Sequence, residues 1–579
     1  MRVLRGPILL TLVLCVLAGQ AGAQDPGVLL GNHHESPVYY EVHETPYFLA
    51  GNKTLLHEDK LKLWHFPVVD VTDWDWVTGG INDFSWWIQV EELRFLLPLL
   101  KSGDVSDRDL ARSWFESWYD SNQRELRAGH ARWREPMSAA YRGMVLVYFL
   151  KTEELRNDSN DRIRAHLREV IHQHQKFLIE PRNFNSQSNH GLVEAFGLIE
   201  VTRVFPNTEY ELLGLDRLLE MSAVSVSEAG THMEHSPNYH FVFLEWLDDY
   251  MSYLSTKPYL DQARVSMLDD YVVRMKTSAY YLQDNDGTIP TIGDADSLNV
   301  AERWPGYFSS GRRGGGRVLN DAEAGYAIYK DARRFVVFAI QDRVPKLRYH
   351  YHNDVLSVYY RRDGETILGD PGKYQYTRSG LRSYFISMPA HNTVFPTSLG
   401  TKIVGMGGLK MATGNSYVDS GGDAVFSSGV KHHGFHVTRS VRIPRRDNRL
   451  IVTDELRSVD DKPVSATVLW NLGGDVKSVE EDADSGGGTI RYIVTTKKGR
   501  RLRLEIVVSG ALPDGVTYEL VRGRNNPMRG WYSPILYVKR PSFALAVDVR
   551  FTGSASVESR VDKAPRKYFP GLRILIKGY

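Results

Sequence analysis

Residues 331–360 read DARRFVVFAIQDRVPKLRYHYHNDVLSVYY, and within this stretch the pattern of the chain changes. Upstream, apolar residues recur at helical spacing. From about Asp331 they come in short runs rich in Val, Ile and aromatics, broken by Gly, Pro and Asp, which is the spacing of strands. Strand side chains alternate faces, so His350, His352 and Asp354 are predicted to point the same way. Three ionisable groups on one face either ligate a metal, move protons or decorate a solvated sheet.

Between about residues 85 and 283 seven segments fit amphipathic or buried helices, among them VEELRFLLPLLKSG (90–103), SAAYRGMVLVYFLKT and FVFLEWLDDYMSYLSTK. Gly, Pro, Asn and Asp punctuate the short connections between them. Paired helices closing on one another, as a solenoid or a toroid, are expected, and no fixed-period repeat supports a solenoid. Downstream, NRLIVTDEL, VSATVLWNL, LRLEIVVSG and FALAVDVRFTG predict an antiparallel all-β domain of stacked sheets. The expected organisation is a segment 1–23, a helical domain 24–331 and a sheet domain 332–579.

The first segment, MRVLRGPILLTLVLCVLAGQAGA, has two arginines, an apolar run and a small-x-small end. It reads as a secretory signal cleaved after Ala23, giving an exported protein, periplasmic or secreted. No later segment is long enough to span a membrane. The single cysteine, Cys15, falls inside the signal, so the exported chain has no disulfide, thiolate nucleophile or cysteine metal ligand. Loss of the signal moves the formal charge from +1 to −1. Such a balance offers no argument for a nucleic-acid partner or for a charged membrane surface. Oligomeric state is not legible. Eight of the twelve tryptophans lie between Trp64 and Trp133, which fits either core packing or a sugar-stacking cleft.

Four clusters carry chemistry. NFNSQSNHGLVEAFGL (183–198) places Asn189 and His190 before a helix, and HMEHSPNYHFVFLEW (232–246) places Glu234, Ser236, Tyr239 and His240 before another. The spacing around His232, Glu234 and His235 is that of neither zinc-peptidase motif. DGTIPTIGDADS (286–297) is an acidic turn without the ligand ladder of a calcium hand. Finally His352, Asp370 and His391 come from three separate β segments, and two imidazoles with a carboxylate make a zinc-compatible ligand set.

The ordered series NH (189–190), E-x-S-x-x-Y-H (234–240), P-x-I-G-D (290–294), H-x-H-x-D-x-L-S (350–357), D-P-G-x-Y-x-Y (370–376) and A-H-N-T-V (390–394) resembles the heparinase II/III and oligoalginate lyase superfamily of polysaccharide lyases. The resemblance implies an α+β multidomain fold, an incomplete (α/α) toroid followed by an antiparallel, β-sandwich-like domain, with the active site in the cleft between them. It implies β-elimination on an acidic, uronate-containing polysaccharide. Asn189 and His190 would meet the uronate carboxylate, Tyr239 would be the catalytic tyrosine and His350 the histidine of the sheet domain. Glu194, Glu234, His240 and Tyr376 would contact substrate, with Tyr374 and Tyr384 in the same region as Tyr376. His352, Asp370 and His391 would hold a structural zinc, with Asp354 orienting an imidazole.

The chemistry explains these residue types. Removing the C5 proton of a uronate builds a second charge on its carboxylate, so donors aimed at that carboxylate should lower the barrier most. A phenol keeps its proton near neutrality and can deliver it to the departing C4 oxygen. If both events occur on one side of the ring Tyr239 can serve both; otherwise His190 or His350 is the base. Two other classes compete: a glycoside hydrolase using Glu234 with Asp294 or Asp296, and a noncatalytic polysaccharide-binding or export protein using the tryptophan-rich region.

Overall fold

The computed structural model describes residues 51–565, except 64–65, 77–78, 82–83, 129–134, 156–159, 187, 310–315, 342–349, 377–378, 400–411, 461, 483–484 and 486–488. The signal-like segment 1–23 lies outside the described residues. Packing divides the chain into two compact units: residues up to Met221 with Asp249–Ser266, and Ser222–Asp248 with the residues from Met267 onward.

Helices dominate the first part: α1 (Val105–Ala128), α2 (Pro136–Glu154), α3 (Asp161–Leu178), α4 (His190–Val204), α5 (Thr208–Ser225), α6 (Pro237–Leu254) and α7 (Gln262–Ala279). In α2 almost every residue from Ser138 to Thr152 is buried, as befits a helix that is apolar all round. Caps fix the starts of α2 and α3. Glu135 accepts from the Ser138 amide, and Asn160 from those of Arg162 and Ile163. Gly197 of α4 lies so close to Ala140 of α2 that a Cβ there would collide with it. The segment 90–103 is not the single helix its periodicity predicts. Leu93 adopts φ 54°, a 3₁₀ turn follows at Arg94–Leu96, and Pro98 opens the next short helix, Leu97–Lys101. Trp76, Trp86, Trp114 and Trp118 are buried in this unit, with Trp76 and Trp114 edge to face at 5.8 Å, so these four serve the core. Trp64 and Trp133 lie outside the described residues. Among the described residues no helix is long and apolar enough to cross a membrane.

Among the described residues the second unit carries two large sheets and two short two-stranded ones within 524–541. Strands β1 (Arg317–Asp321), β2 (Tyr326–Lys330), β3 (Arg334–Ala339), β4 (Val358–Arg362) and β5 (Glu365–Leu368) form an antiparallel meander in chain order. All six residues of β3 are buried, which accounts for the unbroken apolar run. The sheet starts at Arg317, ahead of the change of pattern near Asp331. Ser222–Asp248, although helical in pattern, packs with the sheets. One reason is the Ser227 hydroxyl, 2.6 Å from Asp321.

The larger sheet comprises β6 (Val394–Pro396), β7 (Thr413–Ser420), β8 (Asp423–Lys431), β9 (Phe435–Pro444), β10 (Leu450–Ser458), β11 (Val464–Asn471), β12 (Val476–Glu481), β13 (Thr489–Thr496), β14 (Arg501–Arg522) and β15 (Phe543–Lys563). Its antiparallel order is β12-β13-β14-β15-β10-β9-β8-β7, with β11 pairing β15 and β6. Phe338 and Tyr360 of the meander share one apolar core with Phe426, Trp470 and Phe551 of the larger sheet, a sandwich arrangement. Within it Arg439 and Asp454 form a fully buried ion pair, Nε to Oδ1 2.7 Å. Arg439 Nη1 donates onward to the carbonyls of Leu356 and Asn392. That single guanidinium ties the loops carrying His352 and His391 to the sandwich.

Candidate active site and metal-ligand cluster

The stretch 350–357 is a loop rather than the predicted strand, which begins only at Val358. His350 and Leu356 adopt φ 64° and 63°, and the Ser357 amide donates to Asp354 O at 2.8 Å to close a turn. His350 and His352 nevertheless converge, because both donate to one carboxylate. His350 Nδ1 is 3.0 Å from Asp294 Oδ2, and His352 Nε2 is 3.0 Å from Asp294 Oδ1. Arg382 grips the same group, Nη1 to Oδ1 at 2.5 Å and Nη2 to Oδ2 at 3.0 Å. Four donors thus occupy the four acceptor positions of Asp294. Burial disfavours its charge, but the two imidazoles and the guanidinium hold its pKa well below the ordinary value.

Asp294 reaches this position through Gly293, whose φ is +58° and where a Cβ would run into the carbonyls of His235 and His350. Arg382 is aimed by Ser379, whose side chain caps the short helix Gly380–Phe385 by accepting from the Arg382 amide at 3.1 Å.

In front of Asp294 stands a cluster within reach of solvent. Tyr239, in the first turn of α6, stacks on His350 with ring centroids 3.6 Å apart and planes at 14°. Pro237 opens that helix, a position where its missing N–H costs nothing. The Tyr239 hydroxyl is 2.9 Å from that of Tyr376. Burial, and then each other's proximity or nearby carboxylates, push both phenols well above their ordinary pKa, so both keep their protons at neutral pH. Burial lowers the pKa of His350 despite Asp294, so its ring is neutral. Because a carboxylate only accepts, Nδ1 carries the hydrogen and Nε2 presents a lone pair. Glu234 Oε2 lies 3.7 Å from that Nε2, too far for a hydrogen bond. Lys373, bound to Asp296 at 3.0 Å, sits 5.3 Å from the Tyr376 ring centre.

Behind Asp294 lies a second cluster. His352 and His391 are wholly buried, whereas the His350 side chain is 12% exposed, and this separates the two clusters by depth. His391 Nδ1 donates to Ser387 O at 2.7 Å, which leaves its Nε2 as a lone pair. His352 donates through Nε2 to Asp294, which leaves its Nδ1 likewise. These two lone-pair nitrogens face each other at 3.3 Å. Asp370 Oδ2 is 3.8 Å from His391 Nε2, and the three donor atoms lie within 4.8 Å of one another. Two acceptors without a hydrogen between them, beside a buried carboxylate, repel unless a cation lies among them. The set fits a divalent ion with nitrogen and oxygen ligands.

The remaining expected residues fall elsewhere. His240, expected to contact substrate, is a correction: its Nδ1 accepts from the His232 amide at 3.2 Å and its Nε2 donates to Met275 O at 3.1 Å. It is fully buried and burial lowers its pKa to about 3, so it shapes the turn before α6. Asp354 orients His235, not His350 or His352, with Nε2 to Oδ2 at 3.1 Å. Burial disfavours the charged His235 ring, but Asp354 raises its pKa overall. Of the three candidate tyrosines only Tyr376 meets Tyr239. Tyr374 stacks on Phe385, and Tyr384 is buried against the same ring.

In the other unit Asn189 and His190 open α4, half-buried, and the Asn189 side chain makes no capping bond. Glu194 is buried one turn further on and accepts from the Asn185 amide at 2.6 Å, so it anchors the preceding loop. Asp294, Arg382 and Lys373 were not singled out for this chemistry by sequence, although the Gly-Asp of PTIGD was the available signal.

The heparinase II/III N-terminus profile matches residues 57–309, and the heparinase II/III-like C-terminal profile matches residues 316–559. The chain belongs to the heparinase II/III family. It is a polysaccharide lyase. This heparinase II/III-family chain shares its fold with a crystal structure of heparinase III (TM-score 0.71, 14% identity, 94% of this chain and 88% of that one). It is also similar to a mutant of heparan sulfate lyase HepC from Pedobacter heparinus (0.66, 16%, 94% and 89%). A third similar structure is Streptomyces coelicolor A3 chondroitin AC lyase in complex with chondroitin sulphate (0.57, 12%, 93% and 83%). No curated protein matches the sequence directly. The expected fold class, a helical toroid followed by an antiparallel sandwich-like domain, is the one this family shares.

Proposed function

We propose that the protein cleaves a uronate-containing polysaccharide of glycosaminoglycan type by β-elimination, leaving an unsaturated uronyl end. The observation that carries this reading is the stack of Tyr239 on His350. It sets a phenol that keeps its proton beside a neutral imidazole with a lone pair on Nε2. In the proposed reaction His350 Nε2 takes the C5 proton and Tyr239 protonates the departing C4 oxygen; the Tyr376 hydroxyl renews the proton on Tyr239, and on product release water takes the proton from His350 and returns one to Tyr376. The carboxylate-neutralising role of Asn189 and His190 is part of the proposal and rests on their motif. A heparan sulfate lyase and a chondroitin lyase among the similar structures support the choice of polymer class.

A hydrolase would need a protonated carboxylic acid. Asp294 accepts from four donors and is held ionised, so it cannot be the acid of the paired-carboxylate alternative. His352, Asp370 and His391 are the proposed holders of one zinc, which would staple the loop and the strand ends behind the reacting groups. Export through residues 1–23 completes the proposal and predicts a mature N-terminus at Gln24.

The test is incubation of purified protein with heparan sulfate, chondroitin sulfates, alginate and glucuronan, with products followed by ultraviolet absorbance and mass. Unsaturated oligosaccharides from at least one polymer are expected. Saturated products, or intact chains throughout, would contradict the proposal.

A further inference from the structure

We infer that Asp294 is a positioning residue that sets the tautomers of His350 and His352 together, and so couples the reacting face to the buried metal-ligand cluster. Its two oxygens are divided between the two rings. Oδ2 takes the Nδ1 hydrogen of His350 and Oδ1 takes the Nε2 hydrogen of His352. Each imidazole then has one place left for its lone pair. For His350 this is Nε2, 3.7 Å from Glu234 Oε2, on the ring that stacks against Tyr239. For His352 it is Nδ1, facing His391 Nε2. One carboxylate therefore fixes which nitrogen of each ring keeps its lone pair.

The backbone is arranged to allow this. Gly293 lets the Asp294 segment pass beneath the carbonyls of His235 and His350, and the Asp294 amide donates to His350 O at 3.2 Å. Arg382 fills the remaining acceptor positions of Asp294, so that carboxylate has no free position onto which either ring could shift; Glu234, 3.7 Å from His350 Nε2, is the other carboxylate facing that ring. The histidines need not be in a regular strand to act together, because Asp294 rather than strand pleating aligns them.

Asp294→Asn tests this sharply. An amide offers one acceptor oxygen and one donor nitrogen, so it cannot accept from both rings. One histidine must reverse its tautomer or lose its partner. The measurement is the nitrogen-15 spectrum of histidine-labelled, zinc-loaded full-length protein, with signals assigned by His350→Gln and His352→Gln. Wild type is expected to show hydrogen on Nδ1 of His350 and on Nε2 of His352, and Asp294→Asn is expected to change at least one of them. Turnover should fall by roughly a thousandfold to ten-thousandfold, in the range seen when a tautomer-fixing carboxylate is lost from a triad, with KM nearly unchanged. If the single variant does not fold, Asp294→Asn with Arg382→Gln removes the cation left unpaired and gives the same spectral readout.

Unchanged tautomers in the variant, or turnover within tenfold of wild type, would overturn the inference. Its kinetic arm rests on the proposed lyase reaction, but the spectrum does not. A wild type that made no unsaturated product would sink the reaction and leave the tautomer claim to be decided separately.

Discussion

Tyr239 and Tyr376 meet hydroxyl to hydroxyl at 2.9 Å, and both phenols are pushed well above their ordinary pKa. Neither is suited to act as a base at neutral pH. Together they form a short proton chain, with Tyr239 on His350 and Tyr376 behind it. Tyr376→Phe is expected to leave the fold intact, since one such hydrogen bond is worth ~1 kcal/mol. Turnover should fall less than for loss of Tyr239 itself. A Tyr376→Phe enzyme slower than Tyr239→Phe, in matched assays, would exchange the two roles.

Removal of the proposed zinc should destabilise the sheet-bearing unit. His352→Ala, or dialysis against a strong chelator, is expected to lower both the unfolding temperature and the metal content, which should be one ion per chain in wild type. Elemental analysis showing no stoichiometric metal in carefully purified protein would dispose of this prediction.

Glu194 gives a pH signature. Burial raises its pKa to about 7, from an ordinary value of 4.5. Below the ordinary value the folded and unfolded chains both hold the proton. As pH rises towards 7 the unfolded chain releases it first, so Glu194 costs the fold stability, on the order of 3 kcal/mol once both have ionised. Glu194→Gln keeps an acceptor for the Asn185 amide and removes the ionisation. The variant should melt above wild type at about pH 8 and alongside it at about pH 4. Parallel melting curves at both values would mean that Glu194 ionises normally.

The buried pair Arg439–Asp454 supports the loops of His352 and His391. Asp454→Ala strands a buried guanidinium and is expected to cost about 3–5 kcal/mol. Denaturant titration showing a loss below about 1 kcal/mol would place the support of those loops elsewhere.

Much of this was legible in the sequence because periodicity reports burial directly. The apolar run Phe335–Ala339 of β3 and the three-four spacing of α3, with Ile163, Leu167, Val170, Ile171 and Leu178 buried, could hardly be read otherwise. The break at Leu93 was less visible, since Pro98 at the opening of a helix looks in one dimension like Pro98 inside one. Near the site the difficulty was direction rather than identity. Tyr374 and Tyr376 have the spacing of one strand face, yet Tyr374 at φ 56° turns away to Phe385, and backbone sign is not written in residue type. Tyr239 and His240 are adjacent on a helix, about 100° apart, so only one of them can face the reacting groups. Asp294 reads in the sequence as a candidate hydrolase carboxylate, and its positioning role is not legible there because His350, His352 and Arg382, its partners, are distant along the chain.

The most direct test of the central claim is Tyr239→Phe, which removes one oxygen and keeps the ring stacked on His350. Turnover on a polymer that wild type cleaves should be measured beside thermal unfolding of the same preparation. The account predicts unfolding within a few degrees of wild type and turnover lower by roughly 100-fold to 10,000-fold, the range for a lost general acid. A well-folded Tyr239→Phe enzyme that still made unsaturated product at a comparable rate would contradict it.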